Sequence, residues 1–255
     1  MKGQNILYKE GWNLKTGQKE SLIFSLRRAI HERRFMPAAS KYLNNKFKIF
    51  NIHFVHFLFS FRIDGKRFRY FTHKYNAVET ERTVEIPWVL SLMDFRENIL
   101  EVGNVLSHYV KFPHTVVDKY EKSPGIVNED AENFVTDAKY DCIVSISTLE
   151  HIGYDEEVKD SSKILRTITN LKGMIKEGGK MIITVPLVYN PYIDDMIKSN
   201  SQNFSKVVFL ERISNWNLWK QCTIDKAMKL KYGSKYPFAN SVAFLIFENL
   251  NSATF

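Results

Sequence analysis

The sequence predicts an α/β fold, a seven-stranded and mostly parallel sheet flanked by helices, preceded by a small helix and β-hairpin. From residue 98 onward, apolar runs of strand length alternate with segments of helical periodicity. The apolar run 99–102 ends in a glycine turn at Gly103, as a buried strand does before a loop and helix. Asp64-Gly65 separates two alternating aromatic runs and predicts a two-residue hairpin. Together these observations favour a Rossmann-like architecture with an N-terminal extension.

The composition is that of an ordinary globular protein. The chain has 255 residues, of which 44% are hydrophobic and 25% charged, enough for one sizeable α/β domain and an appendage. Two distant cysteines, Cys142 and Cys222, give neither zinc spacing nor a disulfide framework, and they fit a reducing cytoplasm. The first residues lack an apolar leader, and the longest apolar stretch, 49–61, is too short to span a bilayer. We therefore expect a cytoplasmic protein.

The charge is strongly basic, with a formal net charge of +8. Much of the excess lies before residue 75, in Arg27-Arg28, Arg33-Arg34 and the segment 66–69. Three interpretations remain open: a solvated face with a charged hairpin edge, a surface for an anionic substrate, or nucleic-acid binding. Because no known nucleic-acid module is visible, a stable complex with nucleic acid is not expected.

Two domains are predicted, an extension over 1–79 and a main domain over 80–255. In the extension, apolar and basic residues alternate at helical spacing from Ser21 to Met36, and Pro37 is expected to break that helix. The hairpin around Asp64-Gly65 follows. An extension of this kind is also a candidate surface for a homodimer.

The elements of the main domain follow from the same patterns. Strands are predicted near 98–102, 114–118, 125–128, 141–147, 180–185, 205–211 and 241–248. Helices are predicted near 80–92, 104–110, 159–176 and 215–230. Pro87 is expected to kink or break the first helix, and Gly178-Gly179 to end the third.

Several acidic and polar residues follow the predicted strands in order. Asp118 closes the second strand, roughly 20 residues after the first strand begins at Ile99, where folds of this class place an acid against ribose hydroxyls. The segments 128–131 and 140–151 come next. This ordered set predicts a site for a nucleoside-bearing cofactor outside the carboxyl ends of the strands.

From about residue 80 to 250 the chain resembles the class I S-adenosylmethionine-dependent methyltransferases. The resemblance covers the segments 101–103, Asp118, 130–131, 140–151 and 176–186, which correspond in order to that family's motifs. The sequence of residues 101–109 is also similar to the corresponding segment of methyltransferases from bacterial capsule and surface-polysaccharide loci. The family's usual loop has two or three glycines, whereas here Gly103 is followed by Asn104, a departure that also argues against a nicotinamide enzyme.

The resemblance implies S-adenosylmethionine as the cofactor. Glu101 would set the loop and meet the cofactor's amino group, Asp118 would accept the ribose hydroxyls, and Asp130 would accept from the adenine amino group. The implied cofactor-binding residues are Glu101, Gly103, Asn104, Asp118, Lys119, Asp130, Ala131, Ser147 and Thr148.

His151, with Glu150 beside it, is the candidate general base, since imidazole titrates near neutral pH. The alternative is a histidine that only fixes its loop. His108, Tyr189 and Asn190 are the candidate acceptor-side residues. No metal-ligand pattern is evident, because 155–157 is a charged helix start.

The predicted function is methyl transfer, with O-methylation of a small polar and anionic acceptor favoured. Candidate acceptors are a saccharide, a nucleotide-sugar, or a phosphorylated or phosphoramidate capsule precursor. Two alternatives stay open: an RNA or protein methyltransferase, and a catalytically silent methyltransferase-like partner subunit.

Overall fold

The computed structural model describes residues 35–73, 75–200 and 203–250, with only the backbone described for 35–46 and residue 200. The chain divides into two units, 1–51 and 52–255, and the second unit contains the sheet and the candidate site. No helix of the described residues is both long and apolar enough to cross a membrane.

The first described helix, α1, covers Phe35–Leu58. Nearly all of the predicted helix 21–36 lies outside the described residues. The break predicted at Pro37 is wrong, because α1 continues through it. Pro37 is the third residue of the described helix.

The predicted β-hairpin is confirmed. Strands β1 (Ser60–Ile63) and β2 (Lys66–Arg69) are antiparallel. Asp64 and Gly65 have φ of 48° and 78°, and a two-residue turn that follows the twist of the strands requires positive φ at both positions. The side chains of Lys66, Arg67 and Arg69 are exposed, so the basic residues of this hairpin face solvent.

Helix α2 spans Arg82–Leu90 with Pro87 inside it, so the predicted break does not occur. Pro87 has no N–H to donate to the carbonyl of Thr83, four residues earlier. That carbonyl instead accepts a hydrogen bond of 2.9 Å from the backbone N–H of Phe71. The segment after the hairpin therefore replaces the helical bond that proline removes.

The main sheet has eight strands. They are β3 (Ile99–Val102), β4 (Thr115–Val117), β5 (Ile126–Val127), β6 (Tyr140–Ile146), β7 (Ile175–Pro186), β8 (Lys206–Arg212), β9 (Trp219–Cys222) and β10 (Ser241–Glu248). Their order is β5-β4-β3-β6-β7-β10-β8-β9. The first five are parallel, and β10 and β9 run antiparallel to their neighbours.

This order confirms the predicted Rossmann-like fold with one strand more than expected. The chain runs outward from β3 through β4 to β5, then restarts beside β3 with β6 and continues to β7. The strand order therefore reverses between β3 and β6, which is where folds of this kind bind ligands.

Three predicted helices were wrong in extent. Residues 215–230 form β9 and a short helix α5 (Ile224–Ala227), because Asn217 takes a positive φ of 55° and turns the chain back on β8. The segment 104–110 contains only a 3₁₀ turn over Leu106–His108. Helix α3 covers Lys163–Gly173 and β7 already begins at Ile175, so Gly178 lies inside that strand rather than after the helix.

Alternate residues of the central strands enter two separate cores. Leu100, Ile143 and Ile183 pack with residues of α3, whereas Val144 and Phe244 pack with residues of α2 and the hairpin. Alternation of this kind places the two sets on opposite faces of the sheet. Helix α4 (Pro191–Asn200) follows β7.

Candidate functional site

A cavity of about 500 Å³ lies at the carboxyl ends of β3, β4 and β6, within the size range of cofactor sites. The sequence-predicted residues in its wall are Gly103, Asp118, Lys119, Asp130, Ala131, Thr148 and His151. The remaining polar residues of the wall were not among the predicted binding residues, although Glu129 lies in the predicted segment 128–131; they are Tyr120, Glu121, Glu129, Asp155 and Glu156.

Gly103 is the point where the loop after β3 meets the loop after β6. Its φ is +84°, and an added Cβ would lie 2.2 Å from Oγ1 and 2.6 Å from Cγ2 of Thr148. Both the backbone conformation and the space therefore require glycine.

Glu101 is fully buried beneath this loop. Its Oε1 accepts hydrogen bonds from the backbone N–H groups of Val105 (2.8 Å) and Leu106 (2.6 Å), and its Oε2 lies 2.8 Å from His114 Nε2. The loop-setting role is therefore visible, but Glu101 does not line the cavity. Direct contact with a cofactor is not supported, because the carboxylate is occupied by the loop and His114.

Asp118 ends β4 with its carboxylate at the cavity wall. Its Oδ1 accepts from the backbone N–H groups of Tyr120 and Glu121 at 2.8 Å each, and its Oδ2 accepts from that of Asn104 at 3.1 Å. A carboxylate offers about four acceptor positions, so one remains on Oδ2. Asn104 does not line the cavity; its side-chain amide donates to Glu121 instead, which corrects its predicted contact with the cofactor.

Two lysines and two carboxylates form an ion-pair cluster at one side of the cavity. Lys163 Nζ lies 2.6 Å from Asp130 Oδ2 and 2.7 Å from Glu156, and Lys119 Nζ lies 2.8 and 3.2 Å from the same two groups. Burial opposes charge at Asp130, but the hydrogen bonds from both lysines lower its pKa. Asp130 Oδ1 also accepts from a backbone N–H, so one acceptor position remains there for a ligand.

A recess of about 80 Å³ lies beside the cavity, and His151 belongs to the walls of both. Its lining residues are Glu81, Arg82, Ser147, Glu150, His151, Pro186, Tyr189 and Tyr232. Ser147, which was predicted to contact the cofactor, therefore lines the recess and not the 500 Å³ cavity. Its backbone has a positive φ of 39°, and its hydroxyl donates to Glu85 Oε1 at 2.6 Å.

Two carboxyl groups near the recess are fully buried. Burial raises the pKa of Glu85 to about 7, although Arg82 opposes the shift. Burial also raises the pKa of Glu150 well above its ordinary value. Glu150 Oε2 has no hydrogen-bond partner, and its Oε1 lies 3.6 Å from His151 Nε2.

His151 is half exposed and is held by Asp155, four residues later. The Nδ1 of His151 and the hydroxyl of Tyr189 each lie 2.5 Å from Asp155 Oδ2. Because a carboxylate only accepts, Nδ1 carries the proton and Nε2 is left as the basic nitrogen of the neutral ring. Tyr189 lines the recess, but its hydroxyl is committed to Asp155.

Two residues that were predicted to contact the methyl acceptor make other contacts instead. Asn190 is fully buried: its amide donates to the backbone carbonyl of Glu150 at 2.7 Å, and its Oδ1 accepts from Tyr192 N–H, as a helix N-cap does before Pro191. His108 stacks on Tyr75 at 4.2 Å and lines neither the cavity nor the recess.

Among the described residues, no group of three or more His, Cys, Asp or Glu side chains is arranged to hold a metal ion. The acidic segment 155–157 instead supplies the partner of His151 and one member of the lysine cluster.

No protein-family model matches the chain, and no curated protein matches it. The chain is similar to the solved structure of N-methyltransferase NodS from Bradyrhizobium japonicum WM9 in complex with S-adenosyl-L-homocysteine, at 15% identity, 64% of this chain, 91% of that chain and a TM-score of 0.40. It is similar to a possible histamine N-methyltransferase from Thermotoga maritima at 14% identity, 65% of this chain, 87% of that chain and a TM-score of 0.39. It is similar to the glycopeptide N-methyltransferase MtfA in complex with S-adenosyl-L-homocysteine at 9% identity, 63% of this chain, 86% of that chain and a TM-score of 0.38. Likenesses this weak do not assign a function.

Proposed function

We propose that this protein transfers a methyl group from S-adenosylmethionine to a small polar acceptor. The observation that carries the proposal is the pairing of two spaces at the strand-order reversal. The larger one has the size of a cofactor site, the smaller one is lined by acid–base residues, and His151 lies in the wall of both.

The cavity fits the methyl donor on three counts. Gly103 lines the cavity with backbone alone, and its lack of a Cβ lets the loop after β3 pack directly against Thr148 in the same wall. Asp118 keeps one acceptor position for a ribose hydroxyl, and Asp130 keeps one for an adenine amino group. Ala131 and other apolar residues complete the wall.

S-adenosylmethionine supplies an electrophilic methyl group on a sulfonium, so the protein's tasks are to hold both reactants and to remove a proton from the acceptor. His151 is placed for the second task. Asp155 fixes its Nδ1–H, and Nε2 is the nitrogen that can take a proton from an acceptor hydroxyl or amine. A hydroxyl acceptor, such as that of a saccharide or nucleotide-sugar, needs this base most.

The anionic acceptor expected from the net charge receives no support from the recess. Arg82 is the only arginine or lysine among the described residues that line it. One of its nitrogens, Nη1, donates to the carbonyl of Ile146 at 2.8 Å and lies 3.5 Å from Glu85 Oε2. A phosphate or carboxylate of the acceptor would therefore have to lie outside the recess.

The test is a calorimetric titration of the full chain with S-adenosylmethionine and with S-adenosylhomocysteine. We expect micromolar binding, weakened at least about tenfold in Asp118→Ala because a charge-assisted hydrogen bond is lost. Asp195→Asn, which changes an exposed carboxylate on α4, should bind as the wild type does. Asp118→Asn, a smaller change, serves if the alanine variant unfolds.

The outcome also separates the alternatives. No binding of either nucleoside would contradict the proposal and favour a methyltransferase-like partner subunit without catalysis. Donor binding accompanied by tight, salt-dependent RNA binding would favour an RNA methyltransferase and contradict a small-molecule acceptor.

A further inference from the structure

Glu150 lines the recess, and one oxygen of its buried carboxyl group is unsatisfied. The residue is 2% exposed, and its backbone carbonyl is fixed by the buried amide of Asn190 at 2.7 Å. Its Oε2 has no hydrogen-bond partner. Buried polar atoms in folded proteins nearly always have a partner, and in this structure no group donates to this oxygen.

The groups around Glu150 favour a positive charge. Glu81 lines the recess with it, and Glu85 lies behind Ser147, whose hydroxyl donates to Glu85. Arg82, the cation of the recess, already donates to Ile146 and lies beside Glu85. An entering ammonium group can donate to the two carboxyl groups of the lining and would favour the ionised form of Glu150, whereas an entering anion would oppose that ionisation.

Two tyrosine rings complete the recess. The centroids of Tyr189 and Tyr232 lie 5.0 Å apart, with their planes inclined at 61°. Burial raises the pKa of both phenols, so the rings remain neutral and keep the electron-rich faces that attract ammonium groups. The hydroxyl of Tyr189 is held by Asp155, which fixes its ring beside His151.

We propose that the recess binds a protonated amine of the acceptor, with the carboxyl group of Glu150 as its principal hydrogen-bond acceptor and the tyrosine rings as its side wall. This inference rests on the proposed function, in which the recess is the acceptor's side of a methyltransferase site. It narrows the acceptor to a small amine-bearing molecule. A space of about 80 Å³ holds a few water molecules, or a small functional group with its first carbons.

The test compares three probes of matched size, propylammonium, 1-propanol and propionate, by ligand-observed NMR on the full chain with and without S-adenosylhomocysteine. We expect propylammonium to bind at least about tenfold more tightly than propanol, and propionate to bind most weakly. Glu150→Gln, which keeps the shape but cannot ionise when the ammonium group binds, should reduce the advantage of propylammonium over propanol at least about tenfold.

Two further variants keep the result interpretable. Glu81→Gln should reduce the same advantage by a smaller factor, and it serves if Glu150→Gln proves unstable. Asp195→Asn, on exposed α4, should leave all three affinities unchanged. Equal affinities, tighter binding of propionate, or an unchanged preference in the Glu150→Gln variant would overturn the inference.

The two proposals can fail separately. Loss of nucleoside binding with a retained ammonium preference would contradict the methyltransferase function but not the cation site. Nucleoside binding without an ammonium preference would do the reverse.

Discussion

The imidazole of His151 and the carboxylate of Asp155 form a fixed pair, with Nδ1 2.5 Å from Oδ2. The pair lies one helical turn apart in sequence, and the hydroxyl of Tyr189 donates to the same oxygen. We expect Asp155→Asn to populate the other tautomer of His151, because an amide can offer an N–H where the carboxylate offered only acceptors. Nitrogen-15 NMR of the imidazole measures this directly.

Glu157→Gln is the matched control, since it removes an exposed carboxylate from the same acidic run. It should leave the tautomer unchanged. Once an acceptor is known, Asp155→Asn should lower kcat by on the order of 10²-fold or more with a smaller effect on KM. An unchanged imidazole spectrum in the Asp155 variant would show that Asp155 does not orient the base.

Gly103 offers a second prediction, because its demand for glycine has two separable causes. An alanine there would adopt a φ of +84° and would also collide with Thr148, whose Oγ1 would lie 2.2 Å from the new Cβ. Gly125 has a φ of +87° and nothing within 4 Å of an added Cβ. Gly125→Ala therefore carries only the backbone cost, about 1–2 kcal/mol.

We expect Gly103→Ala to lower the free energy of unfolding by more than Gly125→Ala does. We also expect it to weaken S-adenosylhomocysteine binding at least about tenfold, because the loops that carry Gly103 and Thr148 must separate to make room for the alanine side chain. Denaturant titrations and calorimetry give the two quantities. Equal losses in the two alanine variants would show that contact between Gly103 and Thr148 contributes nothing.

Much of the fold could be predicted from short-range patterns. All seven strands predicted for the main sheet are present, and they could be predicted because apolar runs mark buried strands in the sequence. The hairpin could be predicted because Asp64-Gly65 tolerates the positive φ that its turn requires. The strand β9 was missed because its pairing with β8 depends on the left-handed turn at Asn217, which helical spacing does not reveal.

The candidate site was predictable where one motif supplies it and not where distant segments meet. Gly103 and Asp118 follow their strands directly and were found. Glu81 and Tyr232 reach the recess from opposite ends of the domain, and no local pattern links them to His151. Two signals were readable: Asn190 before Pro191 is a helix N-cap, and Asp155 lies four residues after His151.

The lysine cluster gives a third prediction. Lys163 Nζ is surrounded by Asp130 and Glu156 with 9% of its side chain exposed, whereas the side chain of Lys119, on the same carboxylates, is 36% exposed. Removing the buried partner leaves carboxylates poorly compensated, so Lys163→Met should cost about 3 kcal/mol or more. Lys119→Met should cost about 1 kcal/mol or less, since exposed pairs contribute little.

The measurement is the free energy of unfolding of both variants by denaturant titration. Lys163→Met should also raise the pKa of Asp130, since that lysine is one of the two whose hydrogen bonds lower it. Equal destabilisation by the two substitutions would contradict the dominant role of the buried lysine.

Glu85 gives a prediction about pH. Burial raises its pKa from 4.5 to about 7, against the opposing attraction of Arg82. The folded state therefore retains a proton that the unfolded state loses above about pH 4.5, so the contribution of Glu85 to stability is present at low pH. It is lost progressively as the pH rises through about 7. A shift of this size corresponds to on the order of 1–3 kcal/mol.

Glu85→Gln removes this titration but keeps a carbonyl oxygen to accept the 2.6 Å hydrogen bond from Ser147. The free energy of unfolding of the variant minus that of the wild type should therefore increase by about 1–3 kcal/mol when the pH is raised from 5 to 8. Denaturant titrations at each pH provide the comparison. Glu150, whose pKa is also raised, contributes to both proteins and largely cancels in the difference. The exposed variant Glu157→Gln should follow the wild type at every pH. Parallel curves for wild type and Glu85→Gln would show that Glu85 is ionised in the folded protein throughout this range.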